Sequence, residues 1–226
     1  IQNIYKYDII EDKEERLTYG ARLLGPLFIP EENKFVAINN YDGTSNILIT
    51  DTDSIDFKKI TDYNDGSYIS SIAWINDEVV FGLIDNHGKN IFSLDLEDFS
   101  IKPINIHSYD EQDPSDYKSG MISSIDERGI FNLYVDTKNI KGYITNVIGG
   151  AFMPSTSKDG KVLYSLYDNA SYNIAILDSI IIIPEDKVGY NSLEFQYQEY
   201  NDKISKSIKE NESKEYNISM TKVSFM

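Results

Sequence analysis

An Asn followed by a branched apolar residue, and then an apolar or aromatic one, returns along the sequence at a nearly constant interval. It reads "NIY" from residue 3, "NIL" from 46, "NIF" from 90, "NLY" from 132 and "NIA" from 173, with spacings of 43, 44, 42 and 41. No other feature constrains the fold as tightly, because a fixed period of this size means one supersecondary unit built repeatedly. Three further anchors keep the period. An apolar–Thr pair recurs as Leu17-Thr18, Ile60-Thr61 and Ile144-Thr145, and in the second copy Ile104-Asn105 stands in register. A short apolar stretch after an Asn, Asp or Gly turn recurs as "KFVAI" (34–38), "EVVFGL" (78–83), "GMISSI" (120–125) and "KVLYSL" (161–166). A proline precedes that turn at Pro26, Pro114 and Pro154, while the second copy has "YISSIAWIN" instead.

Each period reads as four strands joined by turns, since Asn, Asp and Gly tolerate the positive φ of tight hairpins. A helical repeat of this length needs 3.6-residue periodicity and Ala/Leu-rich stretches, which are absent. The 17 tyrosines also favour strands. The predicted fold is all-β, a β-propeller of four-stranded antiparallel blades. Blades are expected at roughly 22–61, 66–106, 110–145 and 150–183, with residues 1–18 the outer half of another. Four and a half blades leave flanks that a closed ring buries, so the natural protein is expected to continue on the N-terminal side. Residues 1–183 form the propeller in this reading, and residues 184–226 a polar tail. Within the tail, "NDKISKSIKENESKEYN" (201–217) reads as a solvated linker or exposed helix, and "ISMTKVSF" (218–225) as one more strand.

The best-preserved copy, "GAFMPSTSKDGKVLYSLYDNASYNIAILD", resembles the repeat of TolB-like propellers: Pro-x-x-Ser-x-Asp-Gly-Lys, an apolar strand, Asn-Ile-Tyr and a Leu-Thr ending. The likeness is clearest over 110–178, including "DEQDPS" and "RGIFNLY", and extends over about 1–183. It implies a six-bladed ring, a bacterial periplasmic or envelope location, and partners on the face or in the central channel. The motif marks turns and packing, not chemistry.

Composition narrows the function. Lys plus Arg number 21 against 37 Asp plus Glu, a net charge of −16. Such a surface repels phosphate backbones and anionic membranes, so nucleic acid is not an expected partner and no membrane insertion is expected within this chain. There is no Cys, hence no disulfide and no thiol chemistry. The longest apolar run, "SIIIIP" at 179–184, has the length of a strand. Gly149-Gly150 and Gly160-Lys161 lead into strands at the wrong spacing for a phosphate loop, so they read as a blade crossing and a hairpin turn. No G-x-S-x-G elbow and no H-E-x-x-H occur. His87 and His107 read as surface-loop histidines, and Trp74 as core. "DTDSID" (51–56) and "DEQD" (110–113) cluster oxygens without an EF-hand pattern, so solvated turns are the simpler reading and Ca²⁺ the alternative. No catalytic residue, metal site or cofactor is expected.

In a propeller the connections from the last strand of one blade to the first of the next surround the channel mouth. They fall at roughly 19–25, 62–68, 107–113 and 146–151. The candidate binding residues there are Arg22, Asp62, Tyr63, Asp65, Tyr68, Tyr109, Asp110 and Asp113. Tyr beside Asp suits recognition of basic or amide-rich segments. Two functions follow: a non-catalytic scaffold binding protein or peptide in the cell envelope, or an accessory propeller of a larger hydrolase or peptidase whose catalytic domain lies outside these residues.

Overall fold

In the computed structural model, which describes residues 2–189, the period of the sequence becomes a series of antiparallel sheets. β1 (Tyr5–Asp8) and β2 (Lys13–Arg16) form a two-stranded outer half-blade. Three four-stranded meanders follow. The first comprises β3 (Leu23–Ile29), β4 (Lys34–Tyr41), β5 (Thr44–Asp51) and β6 (Ser54–Lys59). The second is β7 (Tyr68–Ile75), β8 (Glu78–Asp85), β9 (Gly88–Leu94) and β10 (Ile101–Asn105). The third is β11 (Glu111–Tyr117), β12 (Gly120–Ile125), β13 (Asn132–Thr137) and β14 (Lys141–Tyr143). The last sheet has three strands among the described residues: β15 (Ala151–Thr156), β16 (Val162–Asp168) and β17 (Ser171–Leu177).

Among the described residues, 179–183 adds no fourth strand to this sheet, unlike the blade expected at 150–183. The apolar run at 179–184 returns to the preceding blade, where the Ile183 amide donates to the Tyr143 carbonyl at 2.9 Å, beside β14. A single 3₁₀ turn, Glu185–Lys187, follows. Val188 is then buried with Ile125 and Tyr143. Within the run, Ile183 packs beside Tyr143, while Ile181 and Ile182 stay exposed. Strand 218–225 and linker 201–217 lie outside the described residues.

In the first two full blades the second strand has a continuous apolar stretch because it is sandwiched on both faces. In β4, Val36 and Ile38 join a core shared with the next blade (Ile69, Val79, Phe81, Leu83), while Ala37 packs the other way with Ile4 and Leu23. In β8, Val80 turns to Met121 of the third meander. A further core joins the third and last sheets through Tyr117, Ile122, Val135, Val162 and Tyr164.

The two polar anchors turn out to be one device. In the first full blade, Thr61 Oγ1 accepts from the Ile47 amide (2.8 Å) and donates to Asn46 Oδ1 (2.9 Å). Asn46 also accepts from the Tyr63 amide (2.7 Å) and donates to the Tyr63 carbonyl (3.0 Å). In the third blade, Thr145 Oγ1 accepts from the Leu133 amide (2.8 Å) and donates to Asn132 (3.0 Å), which accepts from the Val147 amide (2.9 Å). In the half-blade, Thr18 Oγ1 accepts from the Ile4 amide (2.9 Å) and Asn3 Oδ1 from the Gly20 amide (2.8 Å). Where Asn105 replaces the threonine, Asn90 accepts only the His107 amide, at 3.0 Å. The pair clamps the third strand to the end of the fourth, and satisfies amides that burial would otherwise orphan.

The prolines mark a second device. Each first strand slips register: between Leu24 and Leu27, Ile69 and Ser71, Gln112 and Ser115, and Phe152 and Ser155. The residue before each proline is left-handed: Gly25 (φ +51°), Asp113 (φ +56°) and Met153 (φ +50°). These are β-bulges that bend the innermost strand.

Candidate functional site

The blade-to-blade loops and the turns between second and third strands meet at one end of the sheets. The Ser45 amide donates to the Ser67 carbonyl, the Asp126 amide to Asp110, the Ala151 amide to Phe131 and the Tyr167 amide to Gly150, all at 2.9–3.1 Å. Gly149-Gly150 is the crossing into the last sheet. A Cβ at Gly149 would collide with the Tyr167 carbonyl oxygen, and Gly150 has φ +136°. Gly160 (φ +88°) closes the next hairpin through its amide to the Ser157 carbonyl. Both are turn geometry in strand–turn–strand surroundings.

The eight candidate residues separate into groups. Arg22 is exposed and left-handed (φ +52°) at the entry to β3. Asp62 is exposed and paired with Lys59. Asp65 is exposed, and the Ser67 hydroxyl first, then the Ser67 amide that donates to its carboxylate at 3.0 Å, hold its pKa below the ordinary value. Tyr63 is half-buried; burial first, then the charges of Asp65 and Asp85, raise its phenol pKa. Tyr68 opens β7 and is partly exposed. Asp65 shares a cavity of about 140 Å³ with Gly66, Ser67, Asp85 and Asn86. These four, Asp62, Tyr63, Asp65 and Tyr68, lie on one connection.

Of the other three, Asp110 and Asp113 hold blades together. Asp110 accepts from the Lys89 amide (3.1 Å), faces Lys89 Nζ at 3.9 Å, and donates its own amide to Asp126 (2.8 Å). Asp113 accepts from the Met153 amide of the next blade at 3.1 Å, and burial raises its carboxyl pKa. Tyr109 stacks on His107 at 4.2 Å and packs with Tyr134 and Tyr143; burial, then Glu127, push its phenol up to about 12.

Three residue readings are corrected or extended. His107 is half-buried, not a surface-loop residue, because the Tyr109 ring covers it and the Glu111 carboxylate lies 3.5 Å from its Nε2. Trp74 is half-buried at the edge of the core and lines a cleft of about 680 Å³ with Glu31, Glu32 and Asp95. Lys89 was not legible as a mouth residue, yet it bonds Gln112 Oε1 at 3.0 Å and lies 5.3 Å from the Phe131 ring centre. Its place two residues after His87, beside the repeated Asn90, was the available signal. His87 is exposed, as expected. Among the described residues, no grouping of three or more His, Asp or Glu could hold a metal ion, and no helix is long and apolar enough to cross a membrane.

Comparison with known proteins gives the fold. No family model and no curated protein matches the chain. Among solved structures it is similar to TolB from Acinetobacter baumannii (TM-score 0.63, 16% identity), over 77% of this chain and 45% of that one. It is similar to the β-propeller domain of the trilobed protease from Pyrococcus furiosus (TM-score 0.54, 16% identity; 80% and 62% covered). It is also similar to the acylaminoacyl peptidase of Pyrococcus horikoshii (TM-score 0.57, 11% identity; 81% and 35% covered). The chain thus spans less than half the length of that TolB, and has a TolB-like β-propeller fold.

Proposed function

We propose that the chain is a non-catalytic propeller scaffold of the bacterial cell envelope. In this reading it binds a basic or amide-rich protein segment at the mouth formed by its blade-to-blade loops. The observation that carries the reading is the division of labour at the mouth. Asp110 and Asp113 are engaged in holding blades, which leaves Arg22, Asp62, Tyr63, Asp65 and Tyr68 to present a partner-facing surface. Exposed carboxylates beside tyrosines favour cationic segments through charge, and offer ring area at small entropic cost. The likeness to TolB supports an envelope location. No cofactor enters the proposal.

The likeness to propellers of the trilobed protease and of acylaminoacyl peptidase supports a second reading, in which the chain is the accessory propeller of a larger peptidase. In that case the same mouth admits peptide substrates to a catalytic domain outside these residues.

The test is binding of a lysine-rich peptide and of its glutamate counterpart, by fluorescence anisotropy. The lysine peptide is expected to bind, and binding to weaken roughly tenfold on raising salt from about 0.05 to 0.5 M. Asp62→Lys with Asp65→Lys is expected to weaken it by a similar factor. Equal binding of both peptides, or no effect of the double reversal, would refute the mouth as the site.

A further inference from the structure

The three-stranded last sheet leaves an edge that the other sheets protect. β2 consists of charged residues only, β6 carries Asp56, Lys58 and Lys59, and β10 carries Lys102, Pro103 and a register shift. β14 is short and is flanked by Ile183. Charges, prolines, bulges and covers are the usual means of keeping an edge from pairing. β17, Ser-Tyr-Asn-Ile-Ala-Ile-Leu, has no charge, no proline and an unbroken register with β16. Among the described residues no strand pairs with its outer edge.

Its groups face the right way to receive one. The Tyr167 amide donates toward β15, so the pair Tyr167–Tyr172 is not hydrogen-bonded between β16 and β17. By alternation, the amides and carbonyls of Tyr172, Ile174 and Ile176 point to the open edge. Their side chains are 68%, 82% and 56% exposed, with Leu163 of the same face at 45%. Asn173 occupies the clamp position filled by Asn3, Asn46 and Asn132. Those bind a threonine or the backbone just beyond it, whereas Asn173 is exposed and bonds only the Ser171 hydroxyl.

We propose that the outer edge of β17 is a vacant fourth-strand site that takes, from another protein, a basic strand ending in an apolar–Thr pair. The filled sites of this chain define that occupant. Arg16-Leu17-Thr18, Lys58-Lys59-Ile60-Thr61 and Lys141 ahead of Ile144-Thr145 each place basic residues before the pair. Asp168 of β16, paired with Ser171 at the start of β17, complements such a strand on a chain of net charge −16, while Asp178 beyond the other end is already paired with Lys161 at 3.0 Å. The backbone supplies affinity, and the Asn173 carboxamide reads the threonine. This site is separate from the mouth.

The test uses the full chain and, as probe, the peptide Ser-Ile-Asp-Phe-Lys-Lys-Ile-Thr-Asp-Tyr, which repeats residues 54–63. Saturable binding below about 1 mM is expected, with hydrogen-exchange protection appearing at Tyr172, Ile174 and Ile176. Thr61→Val within the peptide, or Asn173→Ala in the protein, is expected to weaken binding roughly fivefold, and the two together no further. Equal affinity of the Thr and Val peptides would overturn the proposal. So would the absence of saturation, or protection of those amides in the chain alone, which would mean that the edge is filled from within.

Discussion

Thr145 is a small residue with a large structural duty, because its hydroxyl is the acceptor of one buried amide and the donor to one buried carboxamide. Replacing it by Val keeps the shape and orphans the Leu133 amide. Thr145→Val is expected to lower the unfolding free energy by about 2 kcal/mol in urea titrations. Thr18→Val, at the half-blade, should cost less. Glu111 makes a different demand. It is buried on the first strand of the third blade, and desolvation raises its carboxyl pKa although the Ser123 hydroxyl (2.6 Å) and His107 oppose the rise. An acid whose folded pKa is raised stabilises the fold when protonated, and that contribution is lost as pH climbs from the unfolded value through the folded one. Glu111→Gln should therefore gain stability relative to the parent as pH rises above the ordinary glutamate value, measured as the difference in urea midpoints. A difference that does not change with pH would refute the assignment. The anchors Asn and Thr were legible as a pattern, yet their bond was not. The interval of 13 to 15 residues between them is a signal, but the partners meet only when the fourth strand turns back.

At the level of the element, the proline repeat had a visible spacing and an invisible meaning. Gly25, Asp113 and Met153 share a left-handed bulge ahead of proline, but their side chains have nothing in common, so no composition rule exposes the geometry. The glycine shows what the backbone prefers. Met153 is largely exposed, so little packing is lost when it is shortened. Met153→Gly is expected to raise the unfolding free energy by about 0.5 kcal/mol, because relief of left-handed strain exceeds the added chain entropy. Met153→Ala should give no such gain, and thermal melts of the three proteins decide it. The strands themselves were read well where burial on both faces made a continuous apolar stretch, as in β4 and β8. The run 179–184 misled because its apolar character suits any edge, and the choice between the edges of β17 and β14 is made by tertiary burial of Val188 and Ile183.

Across the molecule, the sheets are joined by apolar cores of unequal size. A large one joins the first and second blades, and another joins the third and last sheets. Between the second and third blades the core is four residues, Ile75, Val80, Ile91 and Met121, supplemented by polar brackets from Lys89 and Asp110. Polar contacts therefore carry part of that junction, and Asp110→Asn should loosen it. Hydrogen exchange is expected to quicken at β11 and β9 before it changes at β4 or β16. Self-repulsion also acts on the whole. At a net charge of −16, raising salt from about 10 mM to 150 mM screens like charges beyond a Debye length, and the melting temperature should rise by a few degrees. A flat response would mean that the carboxylates are already compensated locally.

The return of residues 180–189 to β14 also has a consequence in time. Each sheet pairs strands that follow one another directly, so a blade can close as soon as its own residues have left the ribosome. The third blade is the exception. Its outer strand keeps a bare edge, and Tyr143 an unanswered carbonyl, until the whole of the next sheet has been synthesised and Ile183 has come back to meet it.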